Sequence, residues 1–198
     1  MKQFSANFIQ NSFRLVVITV GKTHSGKTTF AKELEQHLHN SVVIDRDDHA
    51  EFINTYYKTM LPKQGANIFK NAISQTIVDY AVNETNFHLI LCNSYRSRKG
   101  RLDLLERFHQ KGFVSIVVTF DIPDHILQIR IANSRRSTNI FRTASNFEEV
   151  LERQQADSHN GDVLAPIEGE ANHLFVIKDS SEVRSVIQEI ANIAKSLC

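Results

Sequence analysis

"RLVVITVGKTHSGKTTFAKEL", residues 14–34, decides how the rest of the chain is read. It opens with an apolar, β-branched run of strand length, Leu15 to Val20. It closes with Phe30, Ala31 and Leu34 at helical spacing. Between them, Gly21 and Gly26 stand five positions apart and are followed at once by Lys27 and Thr28. The pattern is G-x-x-x-x-G-K-[ST] after a strand and before a helix. Glycine lets the backbone turn its N–H groups inward, where a side chain would block an approaching anion. The helix start adds unsatisfied donors and partial positive charge. Lys27 is placed to reach the β- and γ-phosphates of a nucleotide, and the Thr28 hydroxyl to ligate Mg²⁺. The expected ATP-binding residues are Gly21, Thr23, His24, Ser25, Gly26, Lys27, Thr28 and Thr29, with Thr28 as the metal ligand.

Outward from this loop, four more short apolar runs recur at 41–45, 87–93, 114–120 and 173–178. They are nearly continuous in hydrophobicity, as in strands covered on both faces of a parallel sheet. Helical patterns lie between and after them. Residues 27–39 carry a stripe of Phe30, Ala31, Leu34 and Leu38. Residues 66–82 place Ile68, Phe69, Ala72, Ile73, Ile77 and Tyr80 at helical spacing. Further helices are expected over 101–111, ending at Gly112, over 124–136, and over 180–197 with Ser180 or Ser181 as N-cap. Five alternations of strand and helix predict a three-layer α/β/α fold around a five-stranded parallel sheet. Residues 137–172 read as irregular, and about 130–160 as a lid segment.

A length of 198 residues fits one domain over 1–198, which buries roughly 70% of its unfolded surface. The formal net charge of +1 offers no bulk attraction to nucleic acid or membrane. Cys92 and Cys198 are the only cysteines and are 106 positions apart, which excludes a CxxC metal site. Of nine histidines, the closest pair, His37 and His39, points to different helix faces, so a histidine metal centre is not expected. The chain has no run of about 18 apolar residues and no leader pattern, so a cytoplasmic protein without a membrane partner is expected.

The second apolar run ends in "DRDD", residues 45–48, at the carboxyl edge where open α/β sheets bind ligands. A carboxylate there can orient an acceptor hydroxyl and take its proton. Asp47 or Asp48 can instead cap the following helix. The GxxxxGKTT loop and a strand ending in DRDD together resemble the P-loop kinases of the polynucleotide-kinase-like group, which includes small-molecule kinases. The resemblance covers residues 14–195 and implies an ATP-dependent phosphotransferase with ATP and Mg²⁺. It implies Asp47 as the acceptor-activating base. It also implies lid arginines over the transferring phosphoryl, Arg130 and Arg135 ahead of Arg136, with Lys27 neutralising the phosphates.

Two positions depart from that pattern. Ala50 stands where polynucleotide kinases carry an acceptor-binding arginine, which disfavours nucleic-acid ends. Asn93 stands where the third core strand commonly ends in an acid. Arg96, Arg98, Lys99 and Arg101 form a basic cluster that reads either as an anion site or as a solvated helix start. The expected acceptor is a hydroxyl or phosphate of a small molecule or nucleotide. The alternatives are a polynucleotide 5′-hydroxyl kinase and a P-loop ATPase or regulatory module without acceptor phosphorylation. The N-K-x-D and D-x-x-G motifs of a GTPase are missing from the sequence.

Overall fold

The five apolar runs form one sheet, and alternate residues of its central strand face two separate cores. The computed structural model describes residues 13–159 and 161–197. Cys198 and residues 1–12, part of the single-domain expectation, lie outside that range. The strands are β1 (Arg14–Gly21), β2 (Ser41–Asp45), β3 (His88–Cys92), β4 (Phe113–Phe120) and β5 (His173–Ile177). Their order is β2-β3-β1-β4-β5, and every neighbouring pair is parallel. The chain winds to one side of β1 for β2 and β3, then to the other for β4 and β5. The winding direction therefore reverses at β1, whose carboxyl end carries the glycine loop.

Leu15 and Val17 pack into one core with Phe30, Leu34, Ile131 and Ile190. Val16, Ile18 and Val20 pack into the other with Leu105, Phe108 and Ala81. Leu15 through Ile18 are fully buried, which is why β1 shows no polar alternation. Each such side chain contributes about 1.5–3 kcal/mol.

The helices are α1 (Lys27–His37), α2 (Arg46–Tyr56), α3 (Ile68–Glu84), α4 (Arg98–His109), α5 (Asp124–Ala132), α6 (Phe147–Ala156) and α7 (Val183–Ser196). Four differences from the sequence reading matter. The stripe expected on α3 is not its buried face. Ile68, Ile77 and Tyr80 are exposed, while Ser74 and Ala81 are buried. Helix α3 carries apolar residues on both sides, and packing chose the side with small residues that allow close approach. Helix α5 stops at Ala132 with Asn133 as C-cap, so Arg135 and Arg136 lie beyond it. The stretch read as irregular holds α6, capped by Asn146 accepting from the Glu149 amide and anchored by buried Phe147 and Leu151. Ahead of α7, Asp179 rather than Ser180 or Ser181 caps the 3₁₀ turn Ser180–Glu182, in a capping box with Glu182.

Candidate active site

The glycine loop owes its shape to two backbone positions. A Cβ on Gly21 would lie 3.0 Å from Ser25 Oγ and 3.1 Å from Phe120 Cβ. Gly26 has φ 103°, a left-handed conformation that L side chains rarely adopt, and it is the N-cap of α1. Because Gly26 has no side chain, the first amides of α1 receive no side-chain cap. His24 also takes positive φ, 56°, inside the loop. Its Nδ1 lies 3.0 Å from Thr23 Oγ1 and its ring meets Phe147 edge-on at 4.5 Å. Its Nε2 is buried with no partner among the described residues. Burial, then the positive charges of Arg136, Lys27 and Arg130, push the His24 imidazole down to about 4. The ring is therefore neutral at neutral pH.

Lys27 folds back on its own loop. Its Nζ donates to the Lys22 carbonyl and, at 3.2 Å, to Ser25 Oγ. Desolvation lowers its ammonium to about 8, while Cys92, Asp47 and Asp45 oppose the shift. Thr28 Oγ1 donates to Asp45 Oδ2 at 2.9 Å. Asp45 is the last residue of β2 and is only 3% exposed. Its other oxygen accepts the Asp47 amide at 2.9 Å and so caps α2. The cap is thus Asp45, neither of the two residues expected. That leaves Asp47 and Asp48 in the first turn of α2, both lining the cavity. Burial, then the charge of Asp45, raises the Asp48 carboxyl above its usual range.

These groups line one cavity of about 950 Å³ that opens above the carboxyl edge of the sheet. On one side stand the loop, Phe120, Ile122, Ile177, Ser180 and Val183; on the other stand Asp47, Asp48, Glu51, Lys70, Asn93 and Ser94. Asn93 Oδ1 accepts the Ser94 amide, and the Ser94 carbonyl accepts the Gly21 amide at 3.0 Å, tying the β3 edge to the glycine loop.

The structure brings some of the expected arginines together and leaves others out. Arg130 lines the cavity and bridges it, donating to the His24 carbonyl at 3.2 Å and to Ser180 Oγ at 3.1 Å. Arg136 also lines it and pairs with Asp47 Oδ2 at 2.8 Å. Arg135 is exposed and is not among the lining residues, because α5 ends before the chain turns. The basic cluster is used to hold structure. Arg96 donates to the Gln154 carbonyl and Ser158 Oγ, and Lys99 pairs with Asp103. Arg98 and Arg101 both pair with Glu170. Ala50 is 3% exposed, leaving no space for a longer side chain without repacking α2.

The candidate groups to which the sequence reading gave no role of their own are Asp45 and Lys70. Asp45 carried a positional signal, as the last residue of a strand at the ligand-binding edge. Lys70 carried none, because it comes from a helix 23 residues beyond Asp47. Among the described residues, no group of three or more His, Cys, Asp or Glu is arranged to hold a metal alone. Likewise, none of their helices is long and apolar enough to cross a membrane.

Among curated proteins, no sequence matches. Solved structures similar in fold include three kinases. A candidate kinase from Chloroflexus aurantiacus is 16% identical, covering 95% of this chain and 100% of its own, with a TM-score of 0.63. Shikimate kinase from Bacteroides thetaiotaomicron is 14% identical over 91% of this chain and 98% of its own, at 0.56. The Mycobacterium tuberculosis APS kinase, in complex with AMPPNP and APS, is 15% identical over 92% and 98%, also at 0.56. At such identities the likeness is one of fold. The sequence match is broader than any motif: over residues 16–158, around a P-loop kinase fold, the chain belongs to the AAA domain family.

Proposed function

We propose that the protein transfers the γ-phosphate of ATP to a hydroxyl or phosphate of a small molecule or nucleotide. One observation carries this reading: Lys27, the Thr28–Asp45 pair and the Asp47–Arg136 pair converge on a single cavity. The kinase fold of the similar structures supports it, as does the nucleotide analogue bound to the APS kinase.

The apolar side of the cavity, Ile122, Ile177 and Val183, suits the base of the nucleotide, with Arg130 between base and phosphates. Lys27 leaves the Lys22 carbonyl to meet the β- and γ-phosphates. A hydroxyl beside a buried carboxylate is a hard oxygen donor pair that fits Mg²⁺, so Thr28 and Asp45 would hold the ion with phosphate and water completing its shell. When bound, the ion neutralises phosphate charge. Asp47 takes the proton of an acceptor hydroxyl, the hydroxyl oxygen bonds to the γ-phosphorus, and the bond from that phosphorus to the β-phosphate oxygen breaks as ADP leaves. Arg136, held beside Asp47, is placed to lie along the transferring phosphoryl.

The test is ADP release measured with and without a panel of hydroxyl acceptors. Acceptor-dependent release, lost by about 10³-fold in Lys27→Ala with an unchanged melting temperature, is the expected result. Tight ATP binding with no acceptor-dependent release overturns the proposal in favour of a binding module.

A further inference from the structure

We infer that the acceptor carries an anionic group, a phosphate or carboxylate, and that Lys70 binds it. This deepens the proposed function and rests on it. Lys70 stands in the first turn of α3 and lines the cavity on the side of Asp47, away from the glycine loop. Its backbone amide is used in capping, donating to Asn67 Oδ1 at 3.1 Å. Its ammonium makes no hydrogen bond or ion pair among the described residues. A half-buried ammonium without a partner is costly, because desolvation is not repaid. Burial depresses it below the usual lysine range, opposed by Asp47 and Asp45 and reinforced by Arg46 and Arg142.

Asp47, Asp48 and Glu51 line the same side of the cavity, and none of them forms an ion pair with Lys70 among the described residues. Asp47 is already paired with Arg136. Arg46, spanning to Asn71 on α3, keeps a buried Nε with no partner among the described residues. The Lys70 ammonium therefore stands at this end of the cavity without an acceptor among the described residues. An incoming phosphate or carboxylate supplies the missing acceptor oxygens. A second anion seated there would leave the acceptor's hydroxyl between Lys70 and Asp47, on the path to the γ-phosphate. Lys70 then acts as a specificity-determining residue: it sets which molecules lie still long enough to react. A neutral sugar or nucleoside leaves the same polar groups desolvated and unpaired, and is rejected for that reason.

The experiment uses the full chain saturated with AMPPNP and Mg²⁺, which separates donor from acceptor. Inorganic phosphate is titrated calorimetrically into wild type, Lys70→Met and Lys70→Arg. In parallel, ADP release is measured with matched pairs of neutral and anionic acceptors: ribose and ribose 5-phosphate, glucose and gluconate. The expected result is a phosphate site weakened at least tenfold by Lys70→Met, retained by Lys70→Arg, with AMPPNP affinity unchanged in both. Where turnover occurs, KM for the anionic member rises at least tenfold in Lys70→Met while kcat changes less than threefold. No second phosphate site in wild type, an equal affinity in Lys70→Met, or a neutral acceptor used as well as its anionic partner overturns the inference. In each of those cases AMPPNP binding and acceptor-dependent ADP release still stand. Loss of AMPPNP binding itself in wild type removes the proposed function first, and this inference with it.

Discussion

Two arginine–carboxylate pairs in this molecule share a separation of 2.8 Å and differ in almost everything else. Arg101 and Glu170 have side chains 0% and 4% exposed. Arg136 and Asp47 are 33% and 37% exposed. Arg101 spends its remaining donors on the Tyr95, Arg96 and Leu164 carbonyls, so it clamps the loop after β3 to the segment before β5. Arg136 has no such collar. Its guanidinium lies 5.4 Å from the Phe147 ring and its side chain is a third exposed. The lesson is that contact distance does not tell a locked pair from an open one. What tells them apart is whether either partner can leave without stranding a desolvated charge.

Breaking the buried pair is the larger perturbation. Arg101→Met is expected to cost about 3–5 kcal/mol, read by urea unfolding, because Glu170 is left buried with only Arg98 at 3.3 Å. Burial alone would raise the Glu170 carboxyl, but Arg101 and Arg98 outweigh it and hold it below its usual value. The stability this adds is present above the unfolded carboxylate pKa and is lost as pH falls through the folded one. The Arg101 variant should therefore lose much of the wild-type acid sensitivity.

Breaking the open pair should leave stability almost alone and strike turnover. Asp47→Asn is expected to lower kcat about 10²-fold with unchanged ATP affinity and less than about 1 kcal/mol of stability lost. Equal turnover in this variant would remove Asp47 from the chemistry and make its pair merely another surface bridge.

A pH series sharpens the contrast further. Lys27 titrates near 8 before phosphate arrives, and a triphosphate around it raises that value. Its protonated form binds more tightly, so nucleotide affinity should be constant below pH 8. It should weaken up to about tenfold per unit above that pH, and this dependence should vanish in Lys27→Met. The smallest effect is expected from Arg98→Ala, which keeps the 2.8 Å Arg101–Glu170 contact. Turnover there should change by less than about twofold, with stability down by no more than about 1 kcal/mol.

The sheet was legible because its signal is local: runs of buried β-branched residues ended within one or two positions of the observed strands. The cradle was legible for the same reason, its glycines, lysine and threonine lying within eight consecutive residues, Gly21 to Thr28. The arginines expected of a lid were only half legible. The resemblance implied Arg130, which lines the cavity, but the choice between Arg135 and Arg136 depended on where α5 ended. That boundary falls at Asn133, one residue before Ser134, where a break was expected that would have turned both arginines inward. The basic cluster at 96–101 misdirects for a different reason. Its counter-ion, Glu170, comes from a part of the chain whose path no local pattern reveals. Lys70 was hidden by the same kind of distance.

The Thr23 amide of the cradle is already taken: it donates to Gln154 Oε1 at 2.7 Å, while the Gln154 carbonyl receives Arg96. Any oxygen that claims that N–H must evict a residue of α6, and α6 is stitched through the same glutamine to the segment that follows β3. Occupancy of the cradle and the seating of a helix 131 residues further along the chain are two readings of a single hydrogen bond.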